Sequence, residues 1–357
     1  MNGLLCPSQA NLAKIELMTI TTKALTEQTV GGRHPAGRAV PEIEPRIEPA
    51  IELGSFADLA TPAAAGRTRI VVVTFNIRYG VGSFLITGSL LRRVGMKRPG
   101  RRAQLVAGNI ERAARALTMG ELMPPADLIA LQEADRGTRR AGLQHVAREL
   151  AQSLKMNYAH AASPTPAEEA PKPKQWYLDF EEHIEAGEAG ATGVALLSRL
   201  PLERPRRIEL PWSECVWRPR LAVAASVKVG SQRIHFFNSH IDPHSDTAGQ
   251  LAQHEAILED AQLAGAGDAT VLLGDFNTLT PQSRSATRRL LEDHGYATPL
   301  ATGLATWRAG LYRLHADWIF VRGARVTRFG VARPLSVSDH WPVWAEIELN
   351  DAEALAR

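Results

Sequence analysis

Short apolar runs rich in β-branched residues recur along this chain, and a polar residue stands directly after most of them. In the first run, residues 69–76, an arginine precedes Ile-Val-Val-Val-Thr-Phe, and an asparagine follows. Such runs are typical of buried strands, because β-branched side chains pack well in a sheet. A polar residue at the end of a buried strand is a candidate for function, because sites collect where strands end. The candidates are Asn76, Glu133, His240, Asp275 with Asn277, Asp317, and Asp339 with His340.

The order of the apolar segments predicts the fold class. We expect strands over 69–76, 126–132, 193–198, 221–229, 233–239, 270–273, 316–321 and 344–349, and helices over 109–117, 143–154, 251–263 and 285–293. Strands outnumber helices, and helices separate only some of them. This pattern favours a four-layered α/β/β/α sandwich, in which two mixed sheets pack face to face with helices outside, over a doubly wound parallel sheet.

The amphipathic segments predict one catalytic domain over 67–350, preceded by a leader over 1–66 and followed by a tail over 351–357. Prolines 41, 45 and 49 disfavour a helix in the leader and favour extended backbone. Residues 81–104 and 163–190 predict long loops, which in compact domains are often functional.

Composition excludes little. The 357 residues are 45% hydrophobic and 22% charged, which is ordinary for a globular protein, and a net charge of +3 does not by itself indicate nucleic-acid binding. Cys6 and Cys215 do not indicate a disulfide framework. Because no apolar run could span a bilayer and no secretory signal is visible, we expect a cytoplasmic protein.

Two loops bear on the partner. Residues 84–102 join apolar side chains to six cations, which suits an anionic lipid interface, a phosphate backbone, or a plain solvated basic rim. We therefore expect membrane-surface contact through 84–102 as one alternative. The 163–190 loop is acidic, which disfavours a processive nuclease. No obligate protein partner is expected.

Each candidate side chain also has a plain structural explanation. Asn76 could form a turn, His240 could be a packed imidazole, and Asp339 could cap a helix. Their number in one chain favours a common site. Carboxylate and carboxamide oxygens suit Mg²⁺, while no Cys-x-x-Cys spacing indicates zinc. A histidine held by a carboxylate can take a proton from water near neutral pH.

Six short motifs occur along the chain in one order. They are TFNIR at 74–78, LQEAD at 131–135, FNSHID at 237–242, LGDFN at 273–277, HADWIF at 315–320 and SDHWPV at 338–343. Together they resemble the endonuclease/exonuclease/phosphatase superfamily over about residues 69–349. That superfamily includes pancreatic-type deoxyribonucleases, abasic-site endonucleases, neutral sphingomyelinases and inositol polyphosphate 5-phosphatases.

The resemblance implies a metal-dependent phosphoric ester hydrolase and a role for each candidate. Glu133 resembles the main metal ligand, with Asn76 and Asp339 as direct or water-mediated partners. His340 resembles the general base and Asp317 the carboxylate that orients it. The remaining residues resemble phosphate ligands (Asn277, His240, Arg78, Arg220) and a group that positions the nucleophile or a second metal (Asp275). His240 is also a candidate acid toward the leaving group, and Arg220 could instead be a solvated charge. The implied cofactor is Mg²⁺, with Mn²⁺ as a substitute.

The expected substrate is a phosphate ester: a small molecule, a lipid headgroup or a nucleic acid. We rank a phosphodiesterase of small molecules or lipids above a DNA endonuclease or exonuclease. A non-catalytic binding protein on the same fold is disfavoured, because no expected site residue is replaced. The substrate, the number of metals and the preference for monoester or diester stay open.

Overall fold

The computed structural model of the chain describes residues 51–57, 67–82, 100–164, 184, 187–211, 220–263 and 267–349. These residues form two large sheets, a small hairpin and four α-helices. The strands are β1 Glu52–Ser55, β2 Arg69–Asn76, β3 Leu128–Gln132, β4 Asn157–Pro164, β5 Ala191–Ser198, β6 Glu203–Glu209, β7 Leu221–Val229, β8 Gln232–His240, β9 Ala269–Asp275, β10 Trp307–Ala309, β11 Tyr312–Leu314, β12 Asp317–Arg322, β13 Ala324–Val331 and β14 Val343–Leu349. The helices are α1 Arg101–Thr118, α2 Val146–Leu154, α3 Thr247–Gln262 and α4 Pro281–Asp293.

The first sheet has the order β1-β4-β5-β3-β2-β14-β13, and the second has the order β12-β9-β8-β7-β6. Each sheet contains one parallel pair, β2 with β3 and β8 with β9, while the other pairs are antiparallel. The two sheets pack face to face through a core in which Val72, Phe236 and Ile319 are fully buried. This burial explains the continuous β-branched runs, because strands covered on both faces need apolar side chains on both.

Helices cover the outer faces. Helices α1 and α2 pack on the first sheet through a second core that includes Val73, Ile110 and Leu150. Helices α3 and α4 contribute Ile257 and Leu291 to the core of the second sheet. The expected four-layered α/β/β/α sandwich is confirmed.

A polar contact joins the two sheets inside the core. Asn238 of β8 donates from Nδ2 to the carbonyl oxygens of Leu131 and Ala195, at 2.8 Å each. Gln132 of β3 donates from Nε2 to Asn238 Oδ1 at 2.6 Å. Because buried amides need partners, these bonds fix how the two sheets sit on each other near the ends of β3 and β8.

The two parallel pairs bring the ends of four strands to one place, which we call the site edge. Asn76 pairs with Gln132 at the ends of β2 and β3, and His240 pairs with Asp275 at the ends of β8 and β9. Asp317 pairs with Asp275 from the antiparallel strand β12. The topology therefore collects these polar residues at one end of the sandwich.

All eight expected strands and all four expected helices are present, with ends that differ by a few residues. Helix α1 begins at Arg101, so residues 101–104 are helical and the predicted 81–104 loop is wrong there. The predicted loop over 163–190 is wrong at Ser163 and Pro164, which end β4. Strand β1 lies inside the predicted leader and pairs with β4, so the leader prediction fails for residues 52–55.

The strands that sequence analysis missed are mostly at sheet edges. Strands β1, β6 and β13 are edge strands, and β6 and β13 carry several arginines among half-exposed residues. Edge strands are often charged because charges discourage pairing with other chains, and this removes the apolar signal. Residues 1–50 and 58–66 of the predicted leader, most of the 84–102 and 163–190 segments and the 351–357 tail lie outside the described residues. Within those that are described, no helix is long and apolar enough to cross a bilayer.

Candidate active site

His340, Asp317 and Asp275 form the centre of the site edge. His340 Nδ1 lies 2.8 Å from Asp317 Oδ2, and His340 Nε2 lies 3.7 Å from Asp275 Oδ2. One donor atom from each residue lies within 4.8 Å of the others, and all three side chains are buried. Asp317 Oδ1 is buried and has no hydrogen-bond partner. The arrangement holds an imidazole between two carboxylates and leaves one carboxylate oxygen unsatisfied.

Asn76 connects this centre to Glu133. Its Nδ2 donates to Asp275 Oδ2 at 2.9 Å and to Glu133 Oε1 at 3.2 Å, while its Oδ1 accepts from the Arg78 backbone N–H at 2.9 Å. Glu133 is half-buried, in contrast to the buried residues around it. The Glu133 carboxylate is therefore the more accessible acidic group at this edge.

Arg78 connects Glu133 to Asp339. Its Nε lies 3.6 Å from Asp339 Oδ2. Burial opposes the charge of this guanidinium, yet the pKa of Arg78 is raised, chiefly by Asp339 and to a smaller degree by Tyr79 and Glu133. Both carboxylates therefore act on one cation, and Glu133 and Asp339 lie on the same side of the molecule.

His240, Arg220 and Asn277 also lie around Asp275. His240 Nε2 lies 3.6 Å from Asp275 Oδ2, and Arg220 Nη1 lies 3.1 Å from His240 Nδ1. The Asn277 backbone N–H donates to Asp275 Oδ1 at 3.1 Å. Arg220 is buried, so its interpretation as a solvated charge is wrong. A turn follows β8, in which Asp242 Oδ1 accepts from the His244 backbone N–H at 3.0 Å.

The backbone of several site residues is in the left-handed region. The φ angles are +47° at Arg78, +52° at Glu133 and +48° at Asn277. Residues other than glycine rarely adopt this conformation, and it concentrates at functional sites where the surroundings enforce it. At Glu133 the backbone carbonyl accepts from the Tyr79 N–H at 2.9 Å, which ties the two strained segments together.

Charge dominates the chemistry of the centre. Burial, with a smaller contribution from the charge of Asp275, outweighs the opposing effect of His340 and raises the pKa of Asp317 to about 6. For His340, burial opposes the charged form, but Asp317, Asp275 and Asp339 together raise its pKa. The acidic neighbours therefore stabilise the imidazolium form of His340, and Asp317 makes the direct contact with the ring.

The structure corrects one assumption about strand ends. Asp317 begins β12 and does not end a strand, and Asp339 and His340 precede β14. Both strands are antiparallel to their neighbours β9 and β2, so their beginnings lie at the edge where the neighbours end. Asp275, Asp317 and His340 form a group of donors that could hold a metal ion, and this group lies beside the predicted ligands Glu133, Asn76 and Asp339.

Three supporting residues were not predicted. Trp307 Nε1 donates to Asp339 Oδ2 at 3.2 Å, and Ser338 Oγ donates to the Asn76 carbonyl oxygen at 2.7 Å. The Thr306 hydroxyl accepts from the Asp317 backbone N–H at 3.0 Å. The Ser-Asp-His sequence could have indicated Ser338, whereas nothing in the sequence placed Trp307 or Thr306 here.

Comparison with known proteins agrees with this geometry. The model of the endonuclease/exonuclease/phosphatase family matches residues 73–340. This range includes all the candidate side chains, from Asn76 to His340. The chain belongs to the endonuclease/exonuclease/phosphatase family. Members of this family are generally hydrolases of phosphate esters, nucleic acids among them, and typically depend on a metal. No curated protein compared with the chain matches it significantly.

Solved structures of this family share the fold. A family protein from Leptotrichia buccalis C-1013-b is 17% identical with a TM-score of 0.51, and the match covers 78% of this chain and 100% of that one. A family member from Beutenbergia cavernae DSM 12333 is 17% identical with a TM-score of 0.53, over 80% of this chain and 73% of that one. ANGEL2, a 2′,3′-cyclic phosphatase, is 14% identical with a TM-score of 0.51, over 84% and 98%. At these identities the likeness concerns the fold alone.

Proposed function

We propose that this family member is a magnesium-dependent phosphodiesterase, in which a water molecule activated by His340 attacks phosphorus in line with the leaving oxygen. The observation that carries the proposal is the 2.8 Å contact between His340 Nδ1 and Asp317 Oδ2, next to the carboxylate of Asp275. It supplies an oriented imidazole at an edge lined with oxygen ligands.

His340 is the proposed general base. Its Nδ1 is occupied by Asp317, so the remaining nitrogen, Nε2, is the atom that accepts a proton from water. Asp317 orients the ring and stabilises the imidazolium that forms. Asp275 lies 3.7 Å from Nε2, in position to orient the attacking water.

Glu133, Asn76 and Asp339 are the proposed ligands of Mg²⁺, with Mn²⁺ as a substitute. Three observations support the fit: the donors are oxygens, the Glu133 carboxylate is half-exposed, and buried Asp317 Oδ1 has no partner. Asn76 Oδ1 and Asp339 Oδ2 already accept one hydrogen bond each, so water-mediated contact is open to both. When bound, the ion polarises the phosphoryl oxygen and stabilises the leaving oxygen.

Asn277, His240, Arg220 and Arg78 are the proposed phosphate ligands. Arg220 and His240 are in contact at 3.1 Å, and both are buried beside Asp275. A guanidinium and an imidazole together suit the oxygens of a tetrahedral anion. His240 is also the proposed acid that donates a proton to the leaving oxygen.

Hydrolysis of bis(4-nitrophenyl) phosphate and of 4-nitrophenyl phosphate tests this function. We expect turnover of the diester with Mg²⁺, loss of turnover in EDTA, and recovery on adding Mg²⁺ or Mn²⁺. His340→Ala should lower kcat by roughly 10²- to 10⁴-fold while the variant still folds, as checked by circular dichroism. His294→Ala, at an exposed histidine of the α4 end, is the matched control. Full turnover in EDTA, or in His340→Ala, would contradict the proposal.

The same preparation separates the alternatives. Nicking of supercoiled plasmid would identify a DNA endonuclease, and hydrolysis of sphingomyelin would identify a lipid phosphodiesterase. A non-catalytic binding protein would turn over none of these substrates under any metal condition. We expect the small diester or the lipid to be the better substrate.

A further inference from the structure

Three arginine side chains gather around the indole of Trp341, the residue directly after His340. The guanidinium carbon lies 4.4 Å from the centroid of the Trp341 ring for Arg333, 5.2 Å for Arg308 and 5.8 Å for Arg313. Arg308 and Arg313 are cross-strand partners in the β10–β11 hairpin, and Arg333 comes from the segment after β13. Two separate parts of the chain thus place positive charge at one position, which we call the arginine cluster.

The arginine cluster has no acidic partner among the described residues. None of the ion pairs found there includes Arg308, Arg313 or Arg333. Arg308 contacts the Ser336 hydroxyl at 3.5 Å, and Arg313 donates to the Gly310 carbonyl oxygen at 2.8 Å, so both partners are neutral. Arg333 is exposed, but its partial desolvation lowers its pKa, and the charge of Arg313 also lowers it, as expected for cations held together without an anion.

The indole of Trp341 adds a hydrogen-bond donor that has no acceptor. Trp341 is 5% exposed, and its Nε1 is buried without a hydrogen-bond partner. An indole N–H and a guanidinium can only donate, so the four side chains contribute hydrogen-bond donors and positive charge and no acceptor of their own. An anion with several acceptor oxygens satisfies such a set, and the planar fork of arginine matches a phosphate in particular.

The arginine cluster adjoins the site edge. The Arg308 backbone N–H donates to the Asp339 carbonyl oxygen at 2.9 Å, and the Trp341 backbone N–H donates to the Thr306 carbonyl oxygen at 2.8 Å. Strand β10 therefore runs alongside residues 339–341, and its Trp307 contacts the Asp339 carboxylate. A ligand in the proposed site could reach the arginine cluster with a second group.

We propose that Arg308, Arg313 and Arg333 bind a phosphate group other than the one that is hydrolysed. The ligand class is a compound with a second phosphate, supplied either by a soluble molecule or by a lipid headgroup. That this group belongs to the substrate rests on the proposed function, whereas the binding of phosphate by the cluster does not.

Calorimetric titration with inorganic pyrophosphate, carried out in EDTA, tests the binding without requiring turnover. We expect Arg333→Glu to raise the Kd at least about tenfold over the wild type. The matched control is Arg289→Glu, which makes the same charge change at an exposed arginine of α4 and should shift the Kd by less than about twofold. Arg333 is exposed, so its replacement should leave the melting temperature unchanged.

Sedimentation with phosphatidic acid vesicles tests the lipid source, with phosphatidylcholine vesicles as the uncharged comparison. The tip of the β10–β11 hairpin exposes Leu311 by 97% and Tyr312 by 65%, which would favour contact with a bilayer surface. If Arg333→Glu selectively weakens the binding of pyrophosphate, the result supports a soluble ligand. If it selectively weakens binding to phosphatidic acid vesicles, the result supports a lipid headgroup. If Arg333→Glu and Arg289→Glu behave alike with both probes, the proposal is overturned. Failure of the proposed function would appear separately, as absent diester turnover in the wild type.

Discussion

His340 Nδ1 lies 2.8 Å from Asp317 Oδ2, and this contact joins the loop before β14 to the first residue of β12. The contact bridges the two sheets, because His340 leads into β14 of the first sheet and Asp317 begins β12 of the second. The hydrogen bond therefore depends on the packing of the whole sandwich, and it directs Nε2 of the imidazole toward Asp275.

Asp317→Asn should remove the charge that holds the imidazole while keeping the shape of the side chain. We expect kcat for the diester to fall by roughly 10²- to 10⁴-fold, because the amide neither stabilises the imidazolium nor fixes the ring. The melting temperature should change little. Asp293→Asn at the exposed end of α4 is the control, and equal kcat values for the two variants would contradict the role of Asp317.

Glu133→Gln should weaken the metal site. The carboxylate is the accessible acidic group at the site edge, and replacing it removes one negative charge from the proposed Mg²⁺ ligands. We expect the Mg²⁺ concentration for half-maximal turnover to rise roughly tenfold or more. Turnover measured across a Mg²⁺ series checks this, with Glu259→Gln on the exposed face of α3 as control. An unchanged Mg²⁺ requirement would place the metal elsewhere.

Part of the site could be predicted from the sequence, because runs of apolar, β-branched residues indicate buried strands. Asn76, His240 and Asp275 each follow an apolar run, so their place at a strand end could be inferred. What brings them together is the parallel pairing of β2 with β3 and of β8 with β9, which no single run reveals. The expectation that these residues share one site came instead from the six motifs, whose order resembles that of the endonuclease/exonuclease/phosphatase superfamily.

Other features left no readable pattern. Asp317 precedes its strand, and only the antiparallel pairing of β12 with β9 explains why it meets Asp275. The β10–β11 hairpin carries Trp307 and two residues of the arginine cluster. Its strands have three residues each, which is too short for an alternating pattern to indicate a strand. Edge strands such as β6 carry charged side chains in place of an apolar repeat, so their sequences do not indicate a strand.

Asn238→Ala should destabilise the fold more than an ordinary polar truncation. The change removes the donor to the carbonyl oxygens of Leu131 and Ala195 and the acceptor for Gln132. Because these groups are buried, the free energy of unfolding should fall by roughly 2 to 4 kcal/mol. Urea unfolding measures the change, and Gln262→Ala at the exposed end of α3 is expected to have little effect. A loss as small as the control would show that the sheets do not depend on this contact.

Gly274→Ala should separate β8 from β9 directly beside the site edge. A Cβ atom at Gly274 would lie 2.0 Å from the backbone carbonyl oxygen of Ser239, which cannot move without shifting the strand. We expect a loss of roughly 1 to 3 kcal/mol in the free energy of unfolding, together with lower kcat, because Asp275 and His240 are the next pair along. Gly108→Ala in α1 meets nothing within 4 Å and should be neutral or stabilising. Similar behaviour of the two variants would contradict this explanation.

Glu52 gives a pH-dependent test of strand β1, which sequence analysis placed in the leader. Its Oε1 accepts from the Tyr158 hydroxyl at 2.7 Å and lies 3.0 Å from His145 Nε2, while its Oε2 accepts from Arg136 at 3.0 Å. Burial would raise the pKa of Glu52, but these partners outweigh it and lower the pKa to about 2. A carboxyl whose pKa is depressed on folding contributes stability above its unfolded pKa, and this contribution is lost as the pH falls through the folded value.

Glu52→Gln should therefore lower the free energy of unfolding by about 1 to 2 kcal/mol near neutral pH, after allowance for solvent screening of a partly exposed group. The difference from the wild type should shrink as the pH falls from about 5 toward about 3, because the unfolded wild type then takes up a proton that the glutamine variant cannot. Urea unfolding across this range measures the difference. Glu255→Gln on the exposed face of α3 should show no such trend. A difference that stays constant or grows on acidification would mean that the contacts of Glu52 do not hold β1 on the sheet through its charge.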